Sequence, residues 1–153
     1  MSRRVWTSKF VSGEPDEIEA YTGKLFGSGT HWQCARAGAT NSASFLTYGL
    51  DRTVIMEARL QNYAVSRQLE AVTQVVIPLV GGLQRQVDGV EAGYGASGAT
   101  AAVTRVGQNA NYRVKDGTGL IVTVPQSVLL ERGSLLTGSS LLSHCLLYTS
   151  RCV

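Results

Sequence analysis

Charge is scarce in this chain: Asp, Glu, Lys and Arg make up 16% of its 153 residues, against about 25% in an average domain. With 44% hydrophobic residues, so little charge argues against disorder and leaves few side chains to grip a polyanion. The net charge of +3 is also spread out. Arg3, Arg4, Lys9, Arg52, Arg59, Arg67, Arg85, Arg105 and Arg113 lie far apart, whereas a nucleic-acid footprint clusters its cations. Cysteine is limited to Cys34, Cys145 and Cys152, an odd set that builds no disulfide framework and suggests reduced thiols. Long apolar runs are missing: none approaches the roughly 18 residues needed to cross a bilayer. Thr7, Ser8, Lys9, Ser12, Glu14 and Asp16 interrupt any apolar signal core behind Arg3 and Arg4. A cytoplasmic location with no membrane partner is therefore expected.

Catalytic vocabulary is equally thin. The two histidines are His31 and His144. His31 and Cys34 are spaced i, i+3, but two ligands do not close a tetrahedral site, and His144 with Cys145 and Cys152 matches no standard metal spacing. His31 reads better as a loop or barrel-entry residue. No G-x-S-x-G elbow is present. The acidic group Asp16, Glu17 and Glu19 is explained by helix-start electrostatics. Gly93-Tyr94-Gly95-Ala96-Ser97-Gly98 spells G-x-G-x-x-G, with Asp116 downstream. A dinucleotide site would need a strand before it and a helix after it, yet a hairpin signal precedes and β-branched residues follow. A glycine-rich turn is the better reading. The expectation is no catalytic residue, no metal and no cofactor.

What is present reads as β-structure with a helix near each end. Residues 5–11 suggest a first strand or extended arm. Pro15 suits a first helical position, and Ile18, Tyr21, Leu25 and Phe26 fall on one apolar stripe that Gly27 ends. β-branched and aromatic residues then mark strands over 31–39, 43–49, 53–66 and 71–80. The continuous run Val75–Val80 predicts a strand buried on both faces, broken by Gly81-Gly82. Leu83 and Val87 share a face with Arg85 on the next strand, and Asp88-Gly89 is a type I′ hairpin signal. A short β run over 99–106, a turn at Gly107-Gln108-Asn109, and strands over 110–115 and 119–124 joined by Asp116-Gly117 complete the series. Pro125 stops the last strand, and Gln126 onward starts a helix. Many short strands with turn glycines predict a sandwich or barrel. At this length the chain is one domain, able to bury roughly 68–70% of its unfolded surface.

The order of these features resembles the N-terminal cupin-like domain of AraC-type transcription regulators. The carrying segments are the acidic helix EPDEIEAYTGKLF, a histidine loop at His31, VIMEARL, the strand VTQVVIPLVGG and the hairpin QRQVDGVEAG. They continue with ATAAVTRVGQNANYRV and the ending GLIVTVPQSVLLERGSLLTG. The likeness spans about residues 5–138. One departure is Gly107-Gln108, where the family writes Pro-Gly and so has a stiffer turn.

The resemblance implies a mainly β, cupin-like jelly-roll barrel with an N-terminal and a C-terminal helix. It implies a sensing and dimerising module over 1–140 that takes an unknown small-molecule effector and forms a homodimer. DNA would be contacted only through a C-terminal helix-turn-helix domain absent from this sequence. Residues 141–153 have no counterpart in the pattern and read as an irregular tail of sequencing origin. Pocket candidates are Trp32, Tyr48, Arg59 (an anion anchor) and Tyr63; dimer-helix candidates are Val128, Leu129 and Leu130. A platform that dimerises without sensing, a structural or assembly β-protein, and a small cupin-superfamily enzyme are the alternatives.

Overall fold

The computed structural model describes residues 5–27, 29–95 and 101–137. Strand β1 (Val5–Ser12) leads into helix α1 (Pro15–Phe26). Strands β2 (Thr30–Cys34), β3 (Ser42–Leu50), β4 (Thr53–Gln68), β5 (Val72–Val87), β6 (Val90–Gly95), β7 (Ala102–Thr104) and β8 (Asn109–Pro125) follow, and helix α2 (Gln126–Thr137) comes last. Asp16 and Glu17 occupy the first turn of α1 and Lys24 the last, each matching the sign of the dipole end it sits on. Gly27, at φ 89°, donates its N–H to the Gly23 carbonyl at 2.9 Å. Ile18 is fully buried, and Tyr21, Leu25 and Phe26 pack against the same core, so the expected stripe faces inward.

The strands form one antiparallel sheet in the order β1-β3-β4-β8-β5-β6, with β2 added to β4 and β7 added to β5. Both β3 and β2 pair with β4, over Thr53–Gln61 and Tyr63–Arg67 respectively. Phe45 lies opposite Ala58, and Trp32 lies opposite Val65. Along a straight strand those positions would be roughly 23 Å apart, yet the Trp32 and Phe45 rings meet at 5.8 Å. β4 must therefore bend between them. The bend falls at Asn62, whose φ of 61° is a left-handed conformation that Asn tolerates better than most residues. Its amide is held by the Arg36 carbonyl at 2.9 Å and by Asn41.

β8 bends at the same level. In both strands the buried set changes phase there: Val54, Met56, Ala58 and Leu60 give way to Tyr63, Val65 and Arg67, while Ala110, Tyr112 and Val114 give way to Ile121 and Thr123. The sheet thus folds back on itself, and its two halves share one core built on Phe45, Trp32, Tyr63, Met56 and Ile18. Each such side chain contributes about 1.5–3 kcal/mol by leaving water.

Five sequence expectations change here. Asp116-Gly117 is no hairpin turn but part of the unbroken β8, and Gly81-Gly82 does not end β5. The reason is proximity of backbones at the bend. A Cβ on Gly81 would lie 2.3 Å from the Asp116 carbonyl oxygen, and one on Gly119 would lie 2.9 Å from that of Ile77. These glycines let β5 and β8 cross closely, with register shifts at Pro78–Val80 and Gly81–Gln84. The Val75–Val80 run is not buried on both faces either: Gln74, Val76 and Pro78 point inward, while Leu79 and Val80 are exposed. Finally, β2 ends at Cys34, so residues 35–39 are loop, and His31 sits on a strand rather than in a loop. The hairpin at Asp88-Gly89 forms as expected, with φ values of 50° and 81°. Gly107 has φ 82° in the β7–β8 turn. Gly93–Gly95 belong to β6 and Asp116 to β8. Residues 96–98 of the glycine motif lie outside the described residues, as do His144, Cys145, Cys152 and all of 141–153.

Candidate functional site

The four pocket candidates do not converge. Trp32 and Tyr63 are core residues. The Trp32 indole N–H donates to the Thr22 hydroxyl at 3.0 Å, and its ring packs edge-on against Phe45 and Tyr63. The Tyr63 hydroxyl donates to the Gly13 carbonyl at 2.8 Å. Burial, reinforced by the nearby Cys34 and Glu14 acidic groups, raises the Tyr63 pKa above its usual 10.0. Tyr48 and Arg59 face the opposite side of the sheet, where both are exposed. Tyr48 lies opposite Ile55, and Arg59 lies between Ser44 and Thr118. His31 is exposed, with Nδ1 3.1 Å from a Glu19 carboxylate oxygen, and Glu19 also accepts the Trp32 N–H at 3.2 Å. Glu19 thereby ties α1 to β2, a use the helix-start reading did not include. Among the described residues no three His, Cys, Asp or Glu side chains gather as a metal site would need.

The unusual chemistry lies elsewhere, on the core side of the sheet where its halves meet. Arg67 of β4 and Gln74 of β5 pair with positions at opposite ends of β8, Ala110 and Thr123. Because β8 doubles back, the Arg67 guanidinium donates to the Gln74 carbonyl oxygen. The Gln74 amide in turn donates to the Thr123 hydroxyl at 3.0 Å. Beside this chain of bonds stands Tyr112, directly opposite both Val65 and Arg85. The Arg67 and Arg85 guanidinium carbons lie 5.4 and 5.9 Å from its ring centroid, within cation–π range. The Tyr112 hydroxyl bonds to Thr104, and Arg85 reaches the Val103 carbonyl and the Thr104 hydroxyl.

This cluster holds two guanidinium groups and no carboxylate. The ion pairs His31–Glu19 and Arg52–Glu131 do not involve it. Arg67 is 4% exposed, and burial pushes its pKa below the ordinary arginine range. Among the described residues three buried polar atoms lack a partner: Nε of Arg67, Nε of Arg85 and Oγ1 of Thr30. Thr30 is the residue opposite Arg67 on β2, and both guanidinium groups lie against the Tyr112 ring. Arg85 is the member of the group that meets solvent.

A groove of about 460 Å³ along the same strands is lined by Gln33, Gln84, Glu91, Asn111 and Arg113 together with Arg85 and Tyr112 of the cluster. The sequence contains the signal for the inner cluster. Arg67 stands in phase with Tyr63, Val65 and Leu69, and Arg85 with Leu83 and Val87, cations placed on apolar faces.

Helix α2 carries the dimer-helix candidates. Val128, Leu129 and Leu130 are each partly buried against their own chain. Val128 lines a small recess beside the β3–β4 turn, and Arg52 of that turn bonds Ser127 and Glu131, each at 3.2 Å.

Neither a scan of protein-family models nor a search of curated proteins finds a match for this sequence. Among solved structures, the AraC-like transcriptional activator CuxR superposes with a TM-score of 0.65 at 12% identity, over 83% of this chain and 51% of that one. The cupin domain of Schizosaccharomyces pombe Cnp3 superposes with a TM-score of 0.50 at 6% identity, over 60% of this chain and 71% of that one. This chain thus spans about half the length of the AraC-like activator. At such identities the likeness concerns architecture, and the domain is cupin-like in fold.

Proposed function

We propose that this chain is the effector-sensing and dimerising domain of an AraC-type transcription regulator, folded as a cupin-like jelly roll and acting by binding, not by catalysis. The observation that carries this reading is the fit of most of the chain onto half of an AraC-like activator. The effector is a small molecule received at the Arg67–Tyr112–Arg85 cluster. That location suits sensing, because the cluster joins strands from both halves of the folded-back sheet. A ligand that draws Arg85 away from Val103 and Thr104 shifts the balance between two arrangements of the halves. The partner is a second copy of the chain, contacted through α2 and its Val128, Leu129 and Leu130. In this reading the DNA-reading function belongs to a helix-turn-helix domain and not to the cupin-like fold.

Two measurements on the full 153-residue chain test the reading. A thermal-shift screen of neutral and charged metabolites is expected to find compounds that raise the melting temperature, as any native-state ligand must. Sedimentation is expected to show a dimer that Leu129→Asp dissociates without loss of β-sheet circular dichroism. No stabilising compound together with a monomer at every concentration would sink the proposal. The isolated chain is expected to give no sequence-selective gel shift.

A further inference from the structure

We infer that the effector is an anion, a small molecule whose carboxylate or phosphate group is read by Arg85 at the entrance and Arg67 behind it. The inference rests on the sensing role proposed above and specifies its ligand.

The argument starts from charge. Burying a guanidinium is costly unless a carboxylate or a full set of acceptors compensates it. Here Arg67 has one neutral acceptor, Gln74, and one aromatic face, Tyr112. Arg85 has a carbonyl and a hydroxyl. Among the described residues neither forms an ion pair, and each keeps a buried Nε–H with no acceptor. The two unused donors flank one tyrosine ring, with the unpaired Thr30 hydroxyl opposite Arg67. A planar fork of guanidinium donors matches the oxygens of carboxylate and phosphate. An entering anion would satisfy the free Nε–H groups and neutralise the buried charge in one step. A neutral ligand would do only the first. Arg85, partly exposed while Arg67 is buried, makes the first contact by exchanging its bonds to Val103 and Thr104 for the anion.

The test is titration of the full chain with sodium malonate, inorganic phosphate or neutral malonamide at constant ionic strength. The readout is the arginine Nε–H resonances in a proton–nitrogen spectrum. The expected result is saturable shifts of the Arg67 and Arg85 signals with malonate, with phosphate or with both; the arm that responds identifies the anion. Arg85→Gln should raise the Kd about tenfold or more, the loss expected for one charge-assisted contact. Arg85→Lys, which keeps charge but not the fork, should fall between. Arg67→Met should also weaken binding while leaving the Arg85 shift detectable. The inference is overturned by linear, unsaturated responses to both anions, by an equal response to malonamide, or by affinities that ignore all three substitutions. If neutral metabolites still stabilise the chain in the thermal screen, sensing survives and only the anionic identity fails.

Discussion

Replacing the chain Arg67–Gln74–Thr123 by apolar residues should make the protein more stable. Taking a guanidinium out of water costs several kcal/mol even after relaxation. The structure returns part of this through the bond to Gln74, about 1.5–3 kcal/mol for a charged donor, and through the Tyr112 ring, about 0.5–2 kcal/mol. Among the described residues no carboxylate pairs with it to supply the rest. The triple variant Arg67→Met, Gln74→Leu, Thr123→Val removes donor, relay and final acceptor together. It keeps volumes similar and leaves none of the three as an orphan. A gain of about 1–4 kcal/mol is expected, as for other buried ionic groups exchanged for well-packed apolar ones. The melting temperature should rise by roughly 2–4 °C per kcal/mol. Arg67→Met alone should be less stable than the triple variant, because Gln74 then buries an unpaired carbonyl, at about 1–3 kcal/mol. The pH dependence has a definite sign. A base whose folded-state pKa is lowered costs stability while protonated, and folded wild type sheds that proton before the unfolded chain does. Wild type therefore gains on the triple variant only toward the alkaline end, and the difference stays flat around neutrality, where arginine is fully charged. Circular dichroism melts and urea midpoints measure all of this. A triple variant that melts several degrees below wild type would refute the reasoning and make the cluster a structural clamp.

Three further predictions follow from the fold. Gly81→Ala, which combines φ 73° with a Cβ 2.3 Å from the Asp116 carbonyl, should lose about 2–4 kcal/mol. Gly38→Ala, at φ 75° but with open space around its Cβ, should lose only about 1 kcal/mol in urea titration. Phe45→Ala, which empties a fully buried site ringed by Phe10, Tyr21 and Trp32, should lose about 3–5 kcal/mol. That approaches the whole stability of many domains, so loss of the cooperative melt is the expected readout. Tyr63, whose pKa lies above 10.0 because burial opposes its anion, contributes stability that is intact below pH 10 and fades as pH rises past it. Tyr63→Phe should be less stable at neutral pH yet lose less stability on going to pH 11, as followed by tryptophan fluorescence.

The legible parts of this fold were those fixed by local chemistry. Pro15 and Gly27 bracket α1 as their backbone preferences require, and Asp88-Gly89 turns the β5–β6 hairpin. What misled was glycine. Gly81-Gly82 and Asp116-Gly117 carry turn composition, and within a single strand nothing distinguishes a glycine that reverses the chain from one that lets another backbone approach. The difference is a contact between β5 and β8, residues far apart in sequence. The pocket candidates failed to converge for a related reason. Trp32 and Tyr63 attract notice as large aromatics, but large aromatics are what a core needs, and Tyr48 and Arg59 have the outward phase of their strands.

Phase is also where the sequence spoke more clearly than residue type did. Tyr63, Val65 and Leu69 define an inward series on β4, and Arg67 occupies a place in it that an aliphatic residue would fill at lower cost. Arg85 does the same between Leu83 and Val87. A stability-driven sequence would not put two cations on core faces and supply no acid to either. Sequences that break a local rule in this way tend to do so where function requires it. The fold-back of the sheet then turns two separate violations, on strands β4 and β5, into one site, because it brings both guanidiniums to the ring of Tyr112. An odd residue becomes a site only when the topology gives it a partner in the same oddity. Here that step depends on the bend at Asn62 and at the β8 glycines, and on no residue within the cluster.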